Sequence, residues 1–165
     1  MLNGNFSTWP AALGRILCGA VPLSLLFFKK TPFNLPLIIS YYLLLFCTLF
    51  LGATLKFYDR FPWWDTMLHF FGAAFSGFNG IAIYNFLLPN GLQKGVSRWM
   101  IFLFVLSFSV MISVLWESAE FTGAVIGALK EDSNKDTMTD LIMGLVGAVV
   151  VAIYAVLRKN LTKTK

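Results

Sequence analysis

Residues 98–121 read RWMIFLFVLSFSVMISVLWESAEF. No charge interrupts the chain between Arg98 and Glu117. The apolar run therefore approaches the roughly 20 residues that an α-helix needs to cross the hydrocarbon core of a bilayer. Ser97, just before it, is a natural N-cap. Two glutamates close the run, Glu117 and Glu120, and at this spacing both project from one face of a helix. No helix end or basic neighbour in the sequence accounts for them. An acid near the centre of a membrane helix costs about 2.5–3.5 kcal/mol, less near the interface, so a retained pair suggests a site.

Four more segments have the same character, at about 10–28, 35–57, 63–88 and 137–157. Composition agrees: 58% of the 165 residues are hydrophobic, only 13% are charged, and mean hydropathy is +0.73. Soluble domains carry about 25% charged residues. No linker divides the chain and no repeat appears. The expected fold is all-α: a single polytopic membrane bundle over residues 1–165 with about five transmembrane helices. Met1 to Trp9 holds no basic residue, so no cleavable signal peptide is expected. Cys18 and Cys47 lie in apolar runs without metal-ligand spacing and read as packing residues.

Basic residues set the orientation. With five spans, Lys29, Lys30, Lys94, Arg98, Arg158, Lys159, Lys163 and Lys165 share one side without an acid. The other side holds Lys56, Arg60, Lys130 and Lys135 among most of the acids. Positive charge marks the cytoplasmic face, which puts the N-terminus outside and the C-terminus inside. Trp9, Trp63 and Trp64 would mark the outer interface and Trp99 the inner one.

This topology brings three helical pairs to one depth. Asp65 and His69 open the third span, Glu117 and Glu120 close the fourth, and Asp136 and Asp140 open the fifth. Five of the eight acids and the only histidine thus converge in the outer leaflet. Small residues continue the same stripes, in Ala73-xxx-Gly77, Gly144-xxx-Ala148 and Gly123-xxx-Gly127, and such spacing lets helix backbones approach closely. Clustered carboxylates repel, and three remedies exist: protonation, an internal cation such as Arg15, or a bound metal. Carboxylate oxygens with one imidazole suit Mg²⁺, Mn²⁺, Zn²⁺ or Fe²⁺. The metal ligands would be Glu117, Glu120, Asp136, Asp140 and His69, with Asp65 or His69 as general base and Arg15 holding a phosphate. Each residue also has a plainer reading. Asp136 can be a loop acid, Thr137 to Asp140 a capping box, Asp65 a cap after Pro62, His69 a packing residue, and Arg15 can snorkel to the headgroups.

The stretches Phe57-Tyr58-Asp59-Arg60-Phe61-Pro62-Trp63-Trp64-Asp65-Thr66-Met67-Leu68-His69, Trp116-Glu117-Ser118-Ala119-Glu120 and Asp136-Thr137-Met138-Thr139-Asp140, with Gly144 and Gly147, resemble the uncharacterised bacterial membrane-protein family typified by YjdF. A looser likeness is to VanZ-like proteins of the cell envelope, which share an Asp-x-x-x-His, a Glu-x-x-polar pair and an Asp before a Gly-rich helix. This chain departs from them in having Glu120 where Gln is usual and Asp140 where Asn is usual, so its site is more acidic. The resemblance implies a multi-pass protein of the bacterial cytoplasmic membrane.

Three functions compete. One is a metal-dependent enzyme acting on a lipid or lipid-linked phosphate at the outer leaflet, the cation polarising the phosphoryl oxygen or activating water. The second is a carrier for protons or divalent cations. The third is a non-catalytic lipid-binding or envelope-stress accessory protein. Nucleic acid is excluded as a partner because the basic residues form no patch. P-loop, Gly-x-Ser-x-Gly and His-rich chemistries lack their residues. The orientation is testable: green fluorescent protein fused after Lys165 should fluoresce and alkaline phosphatase fused there should be inactive, and the opposite pattern would reverse the topology.

Overall fold

A computed structural model describes residues 16–27, 30–88, 95–127, 129 and 133–163. All regular structure among them is helical. Four helices are long and apolar enough to cross a membrane, matching four of the five expected spans. They are α1 (Leu35–Thr54), α3 (Trp64–Leu87), α4 (Arg98–Val125) and α5 (Asn134–Lys163), with the single turn α2 (Phe57–Arg60) between α1 and α3. The expected first span, 10–28, lies partly outside the described residues. Its described part is helical at 16–20 and narrows to a 3₁₀ helix over Val21–Phe27. The Tyr41 hydroxyl ties this stretch to α1 by donating to the Cys18 carbonyl at 2.6 Å.

The helix ends follow from local chemistry. Asn34 caps α1, its Oδ1 accepting from the Leu37 amide at 3.2 Å, and Ser97 caps α4 through the Trp99 amide. At Phe46–Thr54, α1 widens into a π-helix. Lys56 then turns the chain with a left-handed φ of 58°. Two expectations are corrected here. Asp65 does not cap α3; it lies in the first turn, after Trp63 at the cap position, where a carboxylate still complements the helix dipole. The capping box expected at Thr137–Asp140 lies earlier, because α5 begins at Asn134 and the Asp136 amide donates to Ser133 Oγ at 3.2 Å.

Helices α3, α4 and α5 pack mutually, while α1 leans chiefly on α3. Where α3 crosses α5, small residues allow close approach. Ala73 and Ala148 are buried, and a Cβ on Gly77 would meet Val151 at 2.9 Å. At Gly147 a Cβ would fall on the Phe70 carbonyl oxygen, which is backbone and cannot step aside. Ser109 of α4 joins the contact by donating to the Ala73 carbonyl at 2.6 Å. Gly123-xxx-Gly127 has a different role from the one expected. Gly127, with φ at 73°, ends α4, and the Leu129 amide donates back to the Gly123 carbonyl at 3.1 Å, a C-terminal cap rather than a helix–helix seam.

The two halves of the bundle differ. At the end where α3 finishes and α4 starts, Ile81, Tyr84, Ile101, Val105, Val151, Ala152 and Ala155 form the hydrophobic core. Toward the other end, the buried positions include His69, Glu117 and Asp140. Replacing Gly147 by alanine should cost about 1–3 kcal/mol by overpacking. Gly72→Ala, with nothing within 4 Å of its Cβ, should be neutral or slightly stabilising. Thermal melting of both variants in detergent checks this, and equal melting temperatures would contradict the crossing.

Candidate functional site

His69 lies in the second turn of α3, one residue before the Phe70 carbonyl that meets Gly147. It is 9% exposed and carboxylates surround it. Nδ1 lies 3.1 Å from Glu117 Oε1. Nε2 lies 3.6 Å from Asp65 Oδ1, one turn earlier on the same helix, and 3.8 Å from Glu120 Oε2. The first distance is of hydrogen-bond length; the other two are those of ion pairs. Asp140 of α5 completes the set, with one oxygen within 4.8 Å of ligand atoms of both Asp65 and His69. His69, Glu117 and Glu120 form a second such group. The imidazole belongs to both, so four carboxylates from three helices surround one ring.

Access is graded. Glu117 and Asp140 are buried, whereas the side chains of Glu120 and Asp65 are 27% and 42% exposed. The site therefore has a closed floor and an open rim. Metals bound at about 2.0–2.2 Å hold their ligand atoms about 3 Å apart. Donor atoms already within 4.8 Å need only a small contraction to reach that spacing. A nitrogen with hard carboxylate oxygens fits Mg²⁺, Mn²⁺, Zn²⁺ or Fe²⁺.

Of the residues expected at the site, five are brought together: Asp65, His69, Glu117, Glu120 and Asp140. Asp136 is not. It is exposed in the first turn of α5, paired with Ser133, within the helix and not in the loop that its plainer reading gave it. Arg15 lies outside the described residues.

Tyr58 is a neighbour that sequence reasoning missed. It stands on α2, half-buried, its ring seated where a Cβ on Gly52 would otherwise lie. The π-helical turn of α1 carries both that glycine and Thr48, whose side chain is hydrogen-bonded to the phenol. Burial, and then the nearby Asp65 carboxylate, push the Tyr58 hydroxyl above the ordinary tyrosine range, with a smaller push from Glu120. The bond to Thr48 pulls the other way without offsetting this. The sequence signal was available in outline, a tyrosine seven residues before Asp65, but its partner Gly52 becomes visible only once α1 turns back. Around it Phe57, Phe61, Trp63 and Trp64 form a chain of edge and tilted ring contacts; Trp63 is exposed, whereas Trp64, expected beside it at the outer interface, is buried.

Fold and site together define a polytopic helical membrane protein with an acid–histidine cluster at one end of its bundle. The chain belongs to the family described as predicted membrane protein (DUF2238), which matches residues 2–160. The likeness to YjdF agrees with that membership. A protein of Thermotoga maritima, named only as an uncharacterized protein, is 31% identical over 113 residues, covering 62% of this chain and 52% of its own. The chain thus spans about half the length of that curated relative. No solved structure matches.

The raised Tyr58 hydroxyl has a definite sign. The folded chain holds this proton more tightly than the unfolded one. The contribution is intact below the ordinary tyrosine pKa of about 10 and is lost as the pH rises beyond it. Tyr58→Phe should therefore soften the fall in melting temperature above about pH 10. Identical alkaline slopes for variant and parent would contradict the burial of this hydroxyl.

Proposed function

We propose that this protein is a divalent-cation-dependent enzyme of the bacterial cytoplasmic membrane, acting at the outer leaflet on the phosphate of a lipid or lipid-linked substrate. One observation carries the reading: four carboxylates from three helices meet around a single imidazole at one end of a bundle. His69, Glu117 and Glu120 are the first ligand set, with Asp140 at the floor. A cation held there would polarise a phosphoryl oxygen or lower the pKa of a water. Asp65, the most exposed of the carboxylates, is placed to accept a proton from such a water. Arg15, outside the described residues, is the candidate for a phosphate clamp. The looser VanZ-like resemblance is compatible with an envelope role, and the greater acidity here favours a cation.

The carrier reading has less support. Inward from the cluster, Ser113, Ser109 and Ser76 offer only hydroxyls, two of them spent on backbone carbonyls. Beyond them Ile81, Ile101, Val105, Val151 and two alanines pack around Tyr84, with no carboxylate or basic side chain among these residues to pass an ion on. In an accessory role the carboxylates would only lock the helices, and partly exposed Glu120 and Asp65 suit that poorly.

Purified protein should carry about one divalent ion per chain by elemental analysis, and release phosphate from lipid extracts. Glu117→Gln with Glu120→Gln should lose the ion while melting as a folded protein. No ion under any loading condition would sink the metalloenzyme. An ion without phosphate release would point to the accessory role, and ion flux into proteoliposomes to the carrier.

A further inference from the structure

A groove of about 720 Å³ runs between α1 and α3, lined by none of the cluster's ionisable side chains. On α3 it extends from Met67 to Asn85. At 1.5 Å per residue this is about 27 Å, close to the hydrocarbon thickness of about 30 Å. Its lining is graded. Asn34 before α1, Asn85 near the end of α3 and Arg158 late in α5 all line it. These three residues stand at the same end of the bundle on three separate elements. Beyond them the walls are Leu37, Leu44, Phe71 and Phe75. The groove thus has polar, cationic chemistry at one mouth and an apolar trough leading from it, the complement of an anionic amphiphile.

Charge agrees along the whole end. Lys30 and Arg98 are exposed there with Arg158, while the described acids Asp59, Asp65, Glu117, Glu120, Asp136 and Asp140 all lie toward the other end. An arginine fork matches phosphate oxygens, and side-chain amides can donate beside it. Membrane-surface cations attract anionic headgroups by about 1 kcal/mol each.

We propose that this groove is a binding site for one anionic phospholipid of the basic-side leaflet. Its phosphate lies among Arg158, Asn34 and Asn85, and one acyl chain lies along the aromatic wall of α3. The site is independent of the activity proposed for the acid cluster. It would give α1, which packs mainly on α3, a lipid wedge on its open flank.

The test uses the full chain in vesicles containing spin-labelled phosphatidylglycerol or spin-labelled phosphatidylcholine. The parent protein should show a motionally restricted component that prefers phosphatidylglycerol. Arg158→Gln should lower that preference about five-fold, the equivalent of one surface cation, whereas Arg158→Lys should keep most of it. Ser40→Trp, an exposed groove position, should abolish the restricted component for both lipids. Arg158→Gln lies on an exposed side chain, so it remains informative if the tryptophan variant misfolds. A parent protein without preference would overturn the proposal, as a groove occupied by another part of the chain or by a second copy would produce. So would an undiminished preference in Arg158→Gln.

Discussion

The approach of α5 to the Phe70 carbonyl is the constraint on which the rest of this protein depends. Only glycine fits at Gly147, because a Cβ there would land on backbone oxygen. That contact fixes the separation and register of α3 and α5 at one height. His69 is the residue before Phe70, and Asp140 lies seven residues, about two turns, before Gly147 on the face that meets α3. Backbone contact therefore places the imidazole and the buried carboxylate side by side. Ser109 pins α4 to the same level through the Ala73 carbonyl, two turns from Glu117 along that helix. Small residues serve as packing devices here, and the packing sets the geometry of the site.

Electrostatics explain why such a site needs so firm a frame. Four carboxylates within a few ångströms repel one another, most strongly where water is scarce. The helices have no hydrophobic drive to stay together in lipid, so van der Waals contact and interhelical hydrogen bonds hold the cluster against that repulsion. A cation would turn repulsion into attraction at the same positions. The far half of the bundle, with Val105 and Ala152 fully buried, provides the rest of the cohesion and keeps the buried carboxylates to one end.

Much of this is legible in the sequence, for identifiable reasons. Helix spacing placed Asp65 with His69 and Glu117 with Glu120, and counting lysines and arginines placed both pairs at one end with Asp140. Asp136 was misplaced because its four-residue spacing from Asp140 implied a shared face, whereas it sits exposed in the first turn of a helix that begins at Asn134 and pairs there with Ser133. Gly123 and Gly127 have the spacing of a helix seam, and only the left-handed φ at Gly127 shows a cap. Tyr58 stayed hidden because its significance depends on Gly52, and a π-helical turn leaves no periodic trace in a uniformly apolar segment. The lipid groove was invisible for a similar reason: Asn34, Asn85 and Arg158 are distant in sequence and unremarkable singly.

Because the chain contains a single histidine, the central claim can be tested at one atom. Pulsed electron paramagnetic resonance of the Mn²⁺-loaded protein should show hyperfine coupling to one imidazole nitrogen, absent in His69→Gln. A bound Mn²⁺ without nitrogen coupling, or coupling that survives loss of His69, would contradict a cation centred on this cluster.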